Sequence, residues 1–233
     1  MLLKIKHSNK ETAAKTSILN STGRDSSVIE VWQLDLTSSA SVQSFAARAN
    51  ELERQDIVVQ NAGVLVHNFK RIRSNKKTIT VNVINAFLLA LLLLPKLRST
   101  STELNKEIVM TFTGYPLSKL LELLAFRELS AITRSSKPSS IVTSMVNPSS
   151  VLTGLDREGR GLRGLIWSVY GSRTLVHAAQ GGRDTHGQYL DDCKVGRTSD
   201  FINSEVGRDA QRKFWGELMA VPEDIEGGIT QNL

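Results

Sequence analysis

The chain has 233 residues, of which 40% are hydrophobic and 22% are charged, which suits one folded α/β domain and excludes a disordered protein. The net charge of +6 comes from scattered basic residues, so we expect a solvated surface and no nucleic-acid partner, although an anionic dinucleotide would suit this balance. The single cysteine, Cys193, excludes an intrachain disulfide and indicates a reducing, cytoplasmic location; we interpret it as an incidental thiol because no histidine partner is evident.

The first half of the chain alternates between strand-like and helix-like segments. Residues 28–36 are rich in β-branched and aromatic side chains, which predicts a strand, and Thr37 or Ser38 is placed to cap a helix over 41–49. Residues 56–61 are short and nearly all apolar, as in a parallel sheet that is covered on both faces. A signal peptide is not expected, because lysines interrupt the apolar start of the chain.

A long helix is predicted over 80–97 and is expected to end near Pro95. Its most apolar run, 86–94, is too short to span a bilayer, which takes about 20 helical residues, so we predict a buried helix, one that also forms a subunit interface. Further elements are a strand over 107–112, a helix over 115–130 and a strand over 140–147. This order predicts one domain, residues 1–233, with an α/β fold built on a doubly wound parallel sheet, and a ligand beyond the carboxyl ends of its strands.

The first candidates for chemistry are Tyr115 and Lys119, which are four residues apart and so share one face of the predicted helix. A nearby ammonium lowers the pKa of a phenol, and a tyrosine tuned in this way can exchange a proton with a carbonyl or alcohol oxygen. Taken alone, the pair is equally typical of a solvated helix surface.

Two further polar features follow the same logic. The turn Asn61-Ala62-Gly63 comes directly after a buried strand, and its small residues would let the backbone approach a flat ligand; the alternative is an ordinary turn. Asn82 is a polar residue in an apolar helix, so it is either a satisfied core amide or a kink that holds a water near the site.

Several motifs occur in an order that resembles the short-chain dehydrogenase/reductase family, over about residues 8–195. The motifs are Asp35-Leu36, Gln60-Asn61-Ala62-Gly63, Val81-Asn82, Tyr115-x-x-x-Lys119 and Val146-Asn147-Pro148. Residues 171–178 and 186–190 place the chain nearest to reductases of fungal secondary-metabolite clusters. The resemblance implies a Rossmann-like fold and a carbonyl or alcohol substrate that is a small hydrophobic metabolite.

The resemblance also implies catalytic roles. Tyr115 would be the general acid/base, and Lys119 would bind the nicotinamide ribose and lower the pKa of Tyr115. Asn82 would support a proton relay. Thr113 takes the place, in chain order, of the family's catalytic serine, whose hydroxyl stabilises developing charge on the reacting oxygen.

Cofactor contacts are implied for other residues. Asp35 would lie beside the adenine, the Asn61-Ala62-Gly63 turn would line the cofactor, and Thr153 would face the nicotinamide carboxamide. The cofactor half would then be about 1–114, with the catalytic helix, a substrate lid over 154–170 and the C-terminal part in about 115–233. No metal site is expected.

The sequence departs from the family pattern in two places. The family begins with a strand, a glycine-rich turn and a helix whose N-terminus binds the pyrophosphate, whereas this chain enters at the second strand, truncated at the N-terminus. Lys6, Ser8 or Lys10 would then lie near the adenosine ribose, which favours NADP, with NAD as the alternative. The match to G-x-G-x-x-G at 159–164 is set aside, because no buried strand precedes it.

The second departure is the short segment before Tyr115. Only one residue separates Thr113 from Tyr115, so we expect their hydroxyls not to converge on one oxygen. Three hypotheses stay open: an active NAD(P)-dependent oxidoreductase, a non-catalytic relative that acts as a binding or interaction protein, and a sequence that lacks two segments of an ordinary enzyme. A homo-oligomer is expected, since relatives associate through helices such as those predicted over 80–97 and 115–130.

Overall fold

The computed structural model describes residues 2–5, 8–64, 71–72, 75–114, 118–135, 141–147 and 163–233. Its strands are β1 Leu2–Ile5, β2 Glu30–Gln33, β3 Ile57–Gln60, β4 Arg71–Ile72, β5 Asn75–Lys76, β6 Ile108–Thr113, β7 Ile141–Asn147, β8 Tyr189–Asp191 and β9 Lys194–Val195. Its helices are α1 Ser8–Thr22, α2 Ser39–Asn50, α3 Lys77–Leu104, α4 Lys119–Ser135, α5 Arg163–Gln180, α6 Asp200–Asn203 and α7 Glu205–Ile225.

The main sheet has five strands in the order β3-β6-β7-β8-β9. β3, β6, β7 and β8 are parallel, and β9 returns antiparallel to β8. β1 and β2 form a separate parallel pair with α1 between them in the chain, which is a βαβ unit. The predicted α/β architecture with a mostly parallel sheet is therefore confirmed.

Sequence-local hydrogen bonds explain where the first elements begin and end. α2 begins after Ser38, whose Oγ accepts a hydrogen bond from the backbone N–H of Ser41 at 3.3 Å, so Ser38 is the cap. The strand predicted over 28–36 is wrong in length. It is confined to β2 because Asp35 Oδ1 accepts hydrogen bonds from the N–H and the hydroxyl of Thr37, at 2.9 and 2.8 Å, and so turns the chain.

α3 runs through the centre of the core. Leu88, Leu91, Leu94 and Leu97 are all fully buried. The helix is long and apolar enough to cross a membrane by length and composition alone, but 83% of its most apolar window is buried inside this fold. It is therefore the buried core helix that the sequence predicted.

The prediction that this helix ends near Pro95 is wrong, because α3 continues to Leu104. A proline has no N–H for the carbonyl four residues earlier, which here belongs to Leu91. Asn232 Nδ2 donates a hydrogen bond to that carbonyl at 3.1 Å, and Asn50 Nδ2 donates to the adjacent Leu92 carbonyl at 2.9 Å. Side chains from two other parts of the chain thus satisfy the backbone beside the proline, and the helix persists.

Aromatic side chains join the C-terminal helix to the sheet. Phe87 of α3 stacks on Phe112 of β6 with ring centroids 5.2 Å apart, and Trp215 of α7 meets Phe87 edge-on at 6.5 Å. Phe126 of α4 meets Phe112 edge-on, with ring centroids 6.0 Å apart. Offset and edge-on pairs of this kind add to the stabilisation from buried area. The result is a continuous aromatic cluster that joins α3, α4 and α7 to β6.

Candidate functional site

The carboxyl ends of β3 and β6 meet through two of the candidate residues. Thr113, the last residue of β6, donates its Oγ1 hydrogen to Asn61 Oδ1 at 3.1 Å. Thr113 is buried, whereas Asn61, which follows β3, is exposed. Parallel pairing of β3 with β6 places the two residues together, as expected for side chains just beyond neighbouring parallel strands.

Asn82 lies in a π-helical turn, Thr80–Ile84, within α3, which its neighbour Asn85 closes with an N–H bond to the Thr80 carbonyl. Such single π turns are frequent at functional sites. The Asn82 amide binds both backbone groups of Val64: its Oδ1 accepts from the Val64 N–H at 2.9 Å, and its Nδ2 donates to the Val64 carbonyl at 3.0 Å. The side chain is thus a satisfied buried amide in a locally distorted helix, and both sequence alternatives describe part of it.

A hydrogen-bond chain continues from Asn82 to the first turn of α4. Asn82 Nδ2 donates to Ser118 Oγ at 2.9 Å, and Ser118 Oγ donates in turn to Glu122 Oε1. All three side chains are at least 96% buried. The sequence analysis did not single out Ser118 or Glu122.

Lys119 is the first residue of α4 and adjoins this chain. Its Nζ lies 4.9 Å from the centroid of the Tyr189 ring, a cation–π contact, and Tyr189 is buried at the start of β8. Its stem passes Gly114, where an added Cβ would lie 3.4 Å from Lys119 Cγ. The lysine stem therefore packs beside the backbone at the end of β6.

The turn after β3 offers further polar groups. Ala62 is exposed and Gly63 is half-buried. Gln60, the last residue of β3, is 92% buried, and its Nε2 has no hydrogen-bond partner among the described residues. A buried amide donor without a partner is costly unless something else accepts its hydrogen bond. Asp35, in contrast, uses Oδ1 to shape its own turn with Thr37.

Some predicted site residues lie outside the described part of the chain. These are Tyr115, Thr153, Lys6 and residues 159–162 of the glycine-rich motif. The structure brings Asn82 to the turn that carries Lys119, and Thr113 to Asn61; no described contact joins Asp35 to this group. From β1 to α4, the strand-to-helix connections contain no more than one glycine each.

A buried histidine, His186, links β7 to α4 near this site. His186 Nδ1 accepts the backbone N–H of Thr143 in β7 at 3.2 Å, and its Nε2 lies 3.0 Å from the Ser130 carbonyl of α4. The first contact assigns the proton to Nε2. Burial, together with the nearby positive charges of Arg134 and Arg183, lowers the pKa of His186 below its usual value.

Comparison with known proteins identifies the family. A family model described as short chain dehydrogenase matches residues 3–116. The short chain dehydrogenase/reductase dmxR8 of Cryptosporiopsis sp. is 33% identical over 275 residues, which cover 100% of this chain and 85% of that protein. The chain belongs to the short-chain dehydrogenase/reductase family. A second fungal member, the short-chain dehydrogenase anuD of Penicillium roqueforti, is 32% identical over 276 residues, covering 98% of this chain and 72% of its own.

Solved structures of the family share the fold. A carbonyl reductase from chicken fatty liver, with NADPH bound, superposes with a TM-score of 0.64 at 17% identity, covering 84% of this chain and 87% of that one. A 3-ketoacyl-(acyl-carrier-protein) reductase from Brucella melitensis, complexed with NADH, gives 0.61 at 15% identity and covers 82% and 84%. The Rossmann-like fold is thereby confirmed.

The alignment with dmxR8 also shows a difference in length. It extends over 275 positions, whereas all 233 residues of this chain are used, so dmxR8 holds additional residues within the matched span.

The signals that could have revealed the missed residues are weak in the sequence. Ser118 directly precedes Lys119, and Glu122 is four residues beyond Ser118, which is the spacing of a shared helix face. Such spacing is equally common in solvated pairs. Gln60 and Tyr189 lie in motifs that the sequence analysis quoted, but the buried amide of Gln60 and the contact of Tyr189 with Lys119 follow only from the structure.

Proposed function

We propose that this short-chain dehydrogenase/reductase interconverts a carbonyl and an alcohol on a small hydrophobic metabolite, with NADP in preference to NAD. The observation that carries the proposal is the chain of hydrogen bonds from Asn82 to Ser118, which fixes Asn82 beside the turn that bears Lys119. Tyr115 lies four residues before Lys119 in the sequence, so the same turn adjoins the proposed acid/base.

The described residues fit the nicotinamide half of the cofactor better than its pyrophosphate. Lys119 supplies a cation, Asn61 and Ala62 are exposed, and Gln60 Nε2 is a buried donor that lacks an acceptor among the described residues. These groups would hold the nicotinamide ribose and its surroundings, with Thr153 as a further proposed contact. A glycine-rich pyrophosphate turn is not among the described connections, so the phosphates would depend on other contacts, and Asp35 stays a proposed neighbour of the adenine.

The cofactor, when bound, supplies or accepts the hydride. In reduction, the Tyr115 hydroxyl donates a proton to the carbonyl oxygen, and the Lys119 ammonium favours the phenolate that remains. Asn82 supports the hydrogen-bonded relay through which Tyr115 regains that proton. Thr113 contributes less to the reacting oxygen, since its hydroxyl hydrogen is donated to Asn61.

The setting of the reaction is proposed from the relatives. The named relatives are fungal short-chain dehydrogenases, which supports a role in a secondary-metabolite pathway and a cytoplasmic location. A homo-oligomer is proposed through the outer faces of helices such as α4, where Leu120 is 45% exposed.

Replacing Tyr115 with phenylalanine tests the function directly. NADPH consumption with a panel of aromatic ketones and quinones should fall to background in Tyr115→Phe, because the proton donor is removed. The variant should unfold at the wild-type temperature and bind NADPH equally well in a fluorescence titration. Turnover that survives the substitution would disprove the assignment of Tyr115.

A second function is favoured by one observation: β1 and β2 pair with each other and with no strand of the main sheet among the described residues. The chain would then be a non-catalytic relative that acts as a binding or interaction protein. Each charge-assisted bond lost from a pyrophosphate site costs about 1.5–3 kcal/mol, so this candidate predicts NADPH affinity weakened by orders of magnitude. Micromolar NADPH binding would rule it out.

A further inference from the structure

A buried carboxylate belongs to the hydrogen-bond chain that starts at Val64. Glu122 is 97% buried in the first turn of α4, and its Oε1 accepts the hydroxyl hydrogen of Ser118. Its Oε2 points toward the end of β6, where an added Cβ on Gly114 would lie 4.0 Å away. A carboxylate at such a depth is costly, so it is retained only where its hydrogen bonds compensate.

The hydrogen bonds from Asn82 to Ser118 and from Ser118 to Glu122 can run in only one direction. An amide nitrogen only donates, so Asn82 Nδ2 requires Ser118 Oγ to accept. The Ser118 hydroxyl hydrogen must then go to a second acceptor, and Glu122 Oε1 is that acceptor. The carboxyl group therefore determines which way the Ser118 hydroxyl points and keeps its lone pair directed at Asn82.

The hydrogen-bond chain also joins two parts of the site that are far apart in the sequence. Asn82 belongs to α3 and binds the segment after β3 through Val64, whereas Ser118 and Glu122 belong to the turn that carries Lys119. Fixing Ser118 to Asn82 thus fixes the start of α4 relative to α3. A shift of 1 Å between groups that act on one substrate is enough to slow a reaction strongly.

We propose that Glu122 is a positioning residue that acts through Ser118 to hold Asn82 and Lys119 in fixed positions relative to each other. The inference rests on the proposed function for its kinetic consequence, but the position of the Asn82 side chain is a property of the protein alone. Neither Ser118 nor Glu122 needs to touch substrate or cofactor for this role. What position 122 must provide is a hydrogen-bond acceptor, and a neutral amide oxygen meets that need.

Four variants of the full chain separate this role from a general effect of burial. Ser118→Ala and Glu122→Leu break the chain, whereas Glu122→Gln keeps an acceptor oxygen for Ser118. Thr133→Val is the matched control: Thr133 is equally buried on α4, but its hydroxyl bonds only to the carbonyls of Leu129 and Ser130 in its own helix.

The first readout is the Asn82 side-chain amide in an NMR spectrum, assigned by its loss in Asn82→Asp. Exchange of its protons with solvent should rise roughly tenfold in Ser118→Ala and Glu122→Leu, since one hydrogen bond is lost. Glu122→Gln should stay near wild type, as should Thr133→Val. The inference is overturned if all variants match the control, or if the glutamine variant behaves like the leucine variant.

The second readout is turnover of the ketone and quinone panel with NADPH. The value of kcat should fall roughly tenfold in Ser118→Ala and Glu122→Leu, with KM changed less than about twofold, and the glutamine should restore most of kcat. A wild-type protein without turnover would refute the proposed function, while the amide exchange would still decide the role of Glu122. Active variants with unchanged kcat would overturn the kinetic part of the inference.

Discussion

At the scale of single residues, the Thr113 hydroxyl is committed to Asn61 Oδ1 rather than left free to face a substrate. We expect Thr113→Val to lower kcat only a few-fold, because the reacting oxygen does not depend on this hydroxyl. Stability should fall by about 1 kcal/mol, the usual net contribution of one hydrogen bond. Comparison of its kcat with that of Tyr115→Phe checks this, and an equal loss in the two variants would assign Thr113 a direct role.

His186 makes the stability of the fold depend on pH. Its folded-state pKa is lowered by burial, so between that pKa and the unfolded value of about 6.5 the unfolded chain binds more protons. The free energy of unfolding should therefore be highest above about pH 6.5 and decrease as the pH falls through that value. Urea denaturation from pH 8 to pH 5 measures this.

Replacing His186 provides the control for the pH dependence. His186→Asn removes the titrating ring while leaving a side chain able to accept the Thr143 N–H. The variant should be less stable at pH 8 and should lose less stability than wild type on acidification. An unchanged dependence on pH would place its origin in other groups.

How far single residues could be predicted depends on the distance along the chain to their partners. Asn82 stood out because a polar residue in an apolar helix requires an explanation. Its partners Val64 and Ser118 are 18 and 36 residues away, and no local pattern indicates them. Asp35 was flagged for the adenine, yet its described bonds to Thr37 are local and follow from ordinary turn chemistry.

At the scale of elements, α3 continues past Pro95 with the help of a hydrogen bond from Asn232, which is more than a hundred residues away in the sequence. Asn232→Ala should lower the free energy of unfolding by about 1–3 kcal/mol, because the Leu91 carbonyl loses its donor. Chemical denaturation measures the change, and Ser135→Ala, at an exposed position, serves as the control.

A double-mutant cycle shows whether the proline is the reason for that bond. Pro95→Ala restores a backbone N–H that can bond to the Leu91 carbonyl. In this background Asn232→Ala should cost less than in wild type, and the difference is the coupling energy between the two positions. Strictly additive effects would show that Asn232 contributes by packing instead.

The types of the elements were easier to predict than their ends. The sequence patterns predicted the helices α2, α3 and α4 and the strands β2, β3, β6 and β7, since burial on one or both faces fixes an apolar pattern. The helices α1, α5 and α7 and the strands β1 and β8 were not predicted. The end of α3 was wrong because a tertiary hydrogen bond compensated for a local helix breaker. The strand over 28–36 was too long because its apolar residues Leu34 and Leu36 are buried in a turn rather than in a sheet.

At the scale of the whole molecule, β3 is the outermost strand of the main sheet, and no other described strand pairs with its outer edge. The register with β6 leaves the backbone groups of Ile57 and Val59 pointing away from the sheet, and their side chains are 52% and 42% exposed. Edge strands without charge or proline promote pairing between chains. The parallel α/β fold followed from the order of elements.

A single charge on this edge should reduce self-association. Val59→Lys should lower light scattering at high protein concentration without changing the thermal midpoint, because a charged side chain hinders strand pairing. Val176→Lys is the matched control, since Val176 is 55% exposed but lies on α5. Equal improvement in both variants would point to net charge, rather than the strand edge, as the cause.

The single cysteine of the sequence offers a site at which the protein can be labelled. Cys193 lies in the β8–β9 turn with a φ of 57°, its N–H donates to Thr174 Oγ1 of α5 at 3.2 Å, and its Sγ lies 3.7 Å from the same oxygen. A maleimide dye or nitroxide would attach at this position only, without removal of other cysteines. Its spectrum would report whether α5, which carries the end of the predicted lid, separates from the turn when a nucleotide is added.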